Sequence, residues 1–184
     1  MATSTINQLP IIASITKSEQ IGAVLKSRVQ RVNLMTGDIL KLSGIVRDLH
    51  QAGKKVYVHI EMVNGIGRDN SAIQYLADTF MIDGIISTKT NAIAAARKAG
   101  IRSIQRIFAI DTAAVDSAIK MVGQSHPDEV EIMPGLMPRV IKEVKARIKQ
   151  PLIVGGLIRS EEEIREMLGS GADYVSIGDA RFWQ

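Results

Sequence analysis

Eight short apolar, β-branched runs recur along the chain at near-even spacing, each followed by a longer amphipathic stretch. The runs occupy residues 11–15, 29–35, 55–62, 84–88, 103–109, 129–133, 151–157 and 174–177. The stretches between them, near 18–27, 39–52, 69–79, 91–99, 112–124, 138–149 and 161–169, have helical periodicity. Strand–helix–strand units of this length set neighbouring strands parallel, with right-handed crossovers. Eight strands favour closure over an open doubly wound sheet, which usually has about five or six. The expected fold is therefore α/β: a compact (β/α)8 TIM-type barrel. At 184 residues the chain is short for that fold, whose usual size is about 250 residues and whose lower bound is about 200. Its loops must be minimal and its final helix truncated. Residues 1–9 read as a flexible leader and 10–184 as one domain, since no linker or composition break interrupts them.

Helix punctuation agrees with this division. Ser160 stands before Glu161, Glu162 and Glu163, an N-cap followed by acidic first-turn residues. Asp111 precedes Thr112 in the same way, and Gly53, Gly100 and Gly171 follow expected helix ends. The chain has no cysteine, which excludes disulfides, thiolate nucleophiles and zinc–sulfur sites. It has no apolar run of roughly 20 residues and opens without a secretory signal pattern. A cytoplasmic protein without a membrane partner is expected. No metal-ligand cluster or nucleophile motif stands out, so no metal, cofactor or catalytic residue is assigned. The net charge of +4 permits a polyanionic partner without requiring one.

Ligands of parallel α/β folds gather at the carboxyl ends of the strands. The seventh run ends in Gly155 and Gly156, and the eighth carries Ser176 and Gly178. Glycine lets the backbone approach an anion closely and present free N–H groups to it. A helix start after the eighth strand would add a positive dipole end. These four residues are the expected phosphate site. The alternative is that the glycines only relieve crowding at a strand bend. His59 and Glu61, two apart, share one face of the third strand. With Asp38, Lys89, Gln105, Arg106 and Glu131 they form a candidate polyol-binding set at the same mouth. Asp38 is equally well placed to cap a helix, Lys89 to be a solvated loop residue, and His59 to be a core histidine paired with a carboxylate. On the sixth helix, Arg139, Lys142, Lys145 and Lys149 fall opposite the apolar face. They read either as a solvated exterior or as a contact for RNA phosphates. Trp183, the single tryptophan, must cap an apolar patch, on this chain or on a second copy, which leaves homo-oligomerisation open.

Several stretches carry a resemblance. They include Pro10-Ile-Ile-Ala-Ser, Thr36-Gly-Asp-Ile, His59-Ile-Glu-Met-Val-Asn-Gly65, Gly84-Ile-Ile-Ser-Thr-Lys-Thr-Asn91, Ser103-Ile-Gln-Arg-Ile-Phe108, Glu131-Ile-Met-Pro-Gly-Leu-Met-Pro138, Gly155-Gly-Leu-Ile and the closing Arg-Phe-Trp. In this order and at these spacings the chain resembles the glycerol-3-phosphate-responsive antiterminator family, the regulators of glycerol uptake operons. The resemblance implies a barrel that senses glycerol 3-phosphate, binds the leader of its target mRNA and lets transcription pass a terminator. It also implies that His59, Lys89, Gln105, Arg106, Glu131 and the turn at Gly155 and Gly156 surround the ligand. Glu61 stands where that family more often has aspartate, and Ser176-Ile-Gly-Asp differs from its Ser/Thr-rich version. Two alternatives remain. One is a phosphate-binding barrel enzyme, an isomerase or decarboxylase of a small sugar or polyol phosphate, with Asp38, Glu61 and Lys89 as acid–base groups. The other is a metabolite-responsive module that contacts a protein instead of RNA.

Overall fold

The computed structural model describes residues 9–184. Eight parallel strands close into a ring in sequence order, with β8 pairing back onto β1. They are β1 (Ile11–Ile15), β2 (Arg31–Leu34), β3 (Lys55–His59), β4 (Gly84–Ser87), β5 (Arg102–Phe108), β6 (Glu129–Met133), β7 (Leu152–Gly155) and β8 (Tyr174–Ile177). The helices between them are α1 (Ile21–Lys26), α2 (Ile39–Gln51), α3 (Asn70–Phe80), α4 (Thr90–Lys98), α5 (Thr112–Ser125), α6 (Pro138–Arg147) and α7 (Glu161–Gly169). This is the expected (β/α)8 barrel. After β8 the chain makes only a three-residue 3-10 turn, Ala180–Phe182, so the final helix is truncated as its length demanded. Residues 1–8 of the expected leader lie outside the described residues. Pro10 already joins the ring, where its carbonyl accepts from the amide of Val175. No described helix is long and apolar enough to cross a membrane.

The caps form where the sequence places them. Asp111 accepts from the amide of Ala114, and Ser160 with Glu163 makes a reciprocal capping box. Gly53, Gly100 and Gly171 take positive φ just past helix ends. Several boundaries differ from the pattern. The 18–27 stretch divides into a 3-10 turn, Ser18–Gln20, and the short α1. β3 ends at His59, because the apolar residues beyond it, Ile60 and Val63, pack from a loop into the core between barrel and helices. α6 ends at Arg147, because the chain must extend ahead of Pro151, so Lys149 lies beyond the helix.

Two apolar bodies hold the molecule together. The larger fills the space between the outer faces of the strands and the helices. The smaller is a belt across the barrel interior, made by Ile12, Met35, Tyr57, Ile86, Ile104 and Ile153. A strand alternates its faces, so every second residue along each strand also points inward. Those positions are polar at both ends of the ring: Ser14, His59, Arg106, Glu131 and Ser176 toward the carboxyl mouth, Arg31, Arg102 and Glu129 toward the amino mouth. Trp183 is buried in its own chain, and its indole N–H donates to the carbonyl of Ile177 at 3.0 Å. The patch it caps is therefore its own barrel and not a neighbouring copy.

Candidate ligand site at the carboxyl mouth

Glu131 is the hub of the mouth. It is fully buried. Its Oε1 accepts from Ser176 Oγ at 2.6 Å, and Ser14 Oγ lies 3.2 Å from that hydroxyl. Its Oε2 accepts from Arg106 Nε at 2.9 Å, with Nη2 in ion-pair contact at 2.8 Å. Arg106 Nη2 also reaches the sulfur of Met35 at 3.2 Å. Adjacent strands bring the pair together, since Arg106 is the register partner of Glu131. A buried carboxylate with both oxygens bonded is held immobile by its partners.

A second cluster lies on β3 and β4. His59 Nδ1 is 3.1 Å from Glu61 Oε2, a close contact that lacks hydrogen-bond geometry. The Ser87 hydroxyl donates to Glu61 Oε1 and accepts from the amide of Lys89. Burial alone would raise the Glu61 carboxyl, but its interactions with His59 and Ser87 outweigh that and hold it below its ordinary value. A carboxylate depressed on folding stabilises the fold above its unfolded pKa and loses that contribution as pH falls through the lowered value. Glu61→Gln is therefore expected to lose about 1–2 kcal/mol at neutral pH. The gap from wild type should close as pH drops below 4.5. Thermal unfolding at a series of pH values checks this; a gap that persists unchanged to about pH 3 would show that the charge plays no part.

Asn33 lies beside these groups in the ring, in register with Ser14 and Tyr57. It is fully buried, and neither its amide nitrogen nor its oxygen has a hydrogen-bond partner among the described residues. Buried polar atoms are normally satisfied, so Asn33 asks for a ligand or a water. Sequence reasoning did not single it out, nor Ser14 and Ser87. For Asn33 and Ser14 the available signal was their spacing, two residues from the inward Met35 and Ile12; Ser87 follows the inward Ile86 directly and had no such signal.

The glycine turn closes the mouth on the other side. Gly155 is the register partner of Ser176. A Cβ there would lie 2.6 Å from Ser176 Oγ, so no larger residue fits. Gly156 follows with φ +83 and is exposed, and its carbonyl accepts from the amide of Gly135. Gly178 leaves β8 next door, with its carbonyl bonded to Gln20 Nε2 at 2.6 Å. The structure thus brings Gly155, Gly156, Ser176 and Gly178 together at the carboxyl ends of two adjacent strands. It does not supply the expected helix dipole after β8. The turn there is too short, and its N-cap Asp179 is paired with Arg181.

Of the other expected site residues, one faces away from the mouth and two stand on its rim. Gln105 points outward, where Ser125 of α5 donates to its Oε1. It is excluded from the mouth because its neighbour Arg106 takes the inward position. Asp38 caps α2, accepting from the amide of Leu40 at 2.8 Å. Lys89 stands exposed at the N-cap position of α4, on the rim. The basic set of α6 is partly neutralised. Arg139 pairs with Glu143 and Lys145 with Asp173, whereas Lys142 and Lys149 are exposed without an ion-pair partner among the described residues.

Fold and mouth together define a (β/α)8 barrel with a buried polar cup at the carboxyl ends of its strands, beside a glycine turn. Residues 11–183 match the family described as glycerol-3-phosphate responsive antiterminator. The chain belongs to that family. It is 35% identical over 178 residues to the uncharacterized protein YgcP of Escherichia coli K12, covering 97% of this chain and 93% of that one. The crystal structure of a glycerol uptake operon antiterminator regulatory protein from Listeria monocytogenes superposes with a TM-score of 0.91 at 30% identity, covering 100% of this chain and 97% of that one. A glycerol uptake operon antiterminator-related protein from Thermotoga maritima superposes at 0.84 with 32% identity, covering 95% and 98%.

Proposed function

We propose that this protein is a ligand-gated regulator that binds glycerol 3-phosphate in its carboxyl mouth and, in that state, binds the leader of a glycerol-operon mRNA in the cytoplasm. The observation that carries the reading is the juxtaposition of two unlike halves in one mouth. The turn after Gly155 offers exposed backbone at Gly156 to an anion, and Asn33, His59 and Glu61 offer polar atoms without good partners to hydroxyls. A three-carbon polyol bearing one phosphate has that same division. The geometry is less suited to acid–base turnover: Asp38 is a helix cap, and Glu131 is locked between Ser176 and Arg106.

The regulatory part is a linkage. A ligand that binds the RNA-competent state more tightly shifts the population toward it by that difference in affinity. Mobility-shift titrations of leader RNA with and without glycerol 3-phosphate test it. RNA affinity should rise with the ligand; RNA affinity indifferent to a saturating ligand would remove the gating. If α6 and the segment after it contact RNA phosphates, Lys142→Ala and Lys149→Ala should weaken binding and flatten its salt dependence. Each lost contact lowers the slope of log affinity on log salt by about 0.7–0.9. An unchanged slope in the double variant would place the RNA on another face.

A further inference from the structure

The opposite end of the barrel holds a cavity of 610 Å3, at the amino ends of the strands. It lies on the far side of the apolar belt from the glycine turn. Three inward strand positions give it cations. Arg31 and Lys55 are register partners, and Arg102 begins β5. One carboxylate, Glu129, answers them from inside. Its Oε2 lies 2.7 Å from Arg31 Nη1, and its Oε1 lies 3.4 Å from Arg102 Nη2. Lys55 is exposed and has no ion-pair partner among the described residues. At the cavity's inner rim the balance is therefore positive.

Arg31 is held in an unusual way. Its guanidinium lies 4.1 Å from the centroid of the Tyr57 ring and 5.7 Å from that of Tyr174. The rings hold the guanidinium through its π face. Its in-plane donors are another matter: Nε and Nη2 are buried with no hydrogen-bond partner among the described residues. Buried donors of a charged group are rarely left in that state. A planar fork fixed by aromatic rings, with open in-plane donors, matches the geometry by which arginine takes a phosphate. The volume suits a small organic ligand, for which pockets run about 300–1,000 Å3. Ile12 and Trp183 add apolar lining for its body.

We propose that this cavity is a second ligand site, for an organic phosphate with a body of about nucleotide size, gripped by Arg31 and Lys55. A free nucleoside monophosphate and the 5′-phosphate end of an RNA strand supply the same chemistry. The site stands independently of any ligand at the carboxyl mouth.

Calorimetry on the full chain tests it with three probes: inorganic pyrophosphate, adenosine monophosphate, and a short RNA with or without a 5′-phosphate. Pyrophosphate does not absorb where tryptophan does, so quenching of Trp183 reports occupancy at this end of the barrel. Saturable binding is expected for at least one probe. Arg31→Gln should weaken it about tenfold or more, and Lys55→Ala about threefold. Lys55 is exposed, so its variant decides the matter if Arg31→Gln fails to fold. Preference for the 5′-phosphorylated RNA over the free nucleotide would assign the RNA end as the source, and the reverse the metabolite. No saturable binding of any probe up to roughly 10 mM, or binding undiminished in both variants, overturns the proposal.

Discussion

Glu131→Ala is expected to destabilise the barrel by about 3–5 kcal/mol, because it removes one partner of a buried ion pair and leaves the other charged. Arg106 is only 5% exposed and cannot turn to bulk water in place. The same change deletes the acceptor of the Ser176 hydroxyl, 2.6 Å away. A domain of this size has about 5–15 kcal/mol in all, so the loss is a large share of the total. Tm should fall by about 6–20 °C. The companion Glu131→Ala with Arg106→Leu removes both charges and should recover much of the loss, since an apolar pair seldom costs what a broken ion pair costs. Urea unfolding of the two variants measures both steps. A loss below about 1 kcal/mol for the single variant would mean that water already solvates Arg106, and that the network at the mouth is not what orders it.

The ring was legible because closure follows from the count and spacing of the apolar runs, which no single residue decides. The glycine turn was legible because paired glycines at a strand end have few uses. Phase along the strands was not. β5 is buried on both faces, so its run has no amphipathic alternation to show which residues point inward. Gln105 and Arg106 therefore looked alike, although neighbours on a strand cannot both enter the mouth. Asn33, Ser14 and Ser87 are small polar residues inside apolar runs, where they pass as tolerated. Their importance depends on a lateral register that only the closed ring sets. The amino-mouth cations were missed for the same reason. Arg31 and Glu129 are distant in sequence and lie on strands that are not neighbours, and only the curvature of the barrel brings them within 2.7 Å.

Gly156→Asp is expected to weaken glycerol 3-phosphate binding by about 100-fold or more while the fold survives. The position is chosen over Gly155, where any side chain meets Ser176 Oγ and β8 would have to move. At Gly156 the nearest atom to an added Cβ is Pro134 Cα at 3.8 Å, an ordinary contact. The remaining cost is the left-handed backbone, φ +83, which is about 1–2 kcal/mol for an ordinary residue and least for aspartate and asparagine. The electrostatic cost on binding is larger. A carboxylate about 5 Å from a phosphate charge, at an effective dielectric of about 20, is repelled by about 3 kcal/mol, which is a factor above 100 in affinity. Gly156→Asn has nearly the same shape and backbone tolerance without the charge, so it should lose far less. The difference between the two isolates repulsion from strain. Calorimetry with glycerol 3-phosphate and with inorganic phosphate, at low and high salt, reads it directly. Salt should narrow the gap between the aspartate and asparagine variants, since it screens one term and not the other. Affinity undiminished in Gly156→Asp would place the phosphate away from β7 and β8, and the sensor reading of this mouth would fall with it.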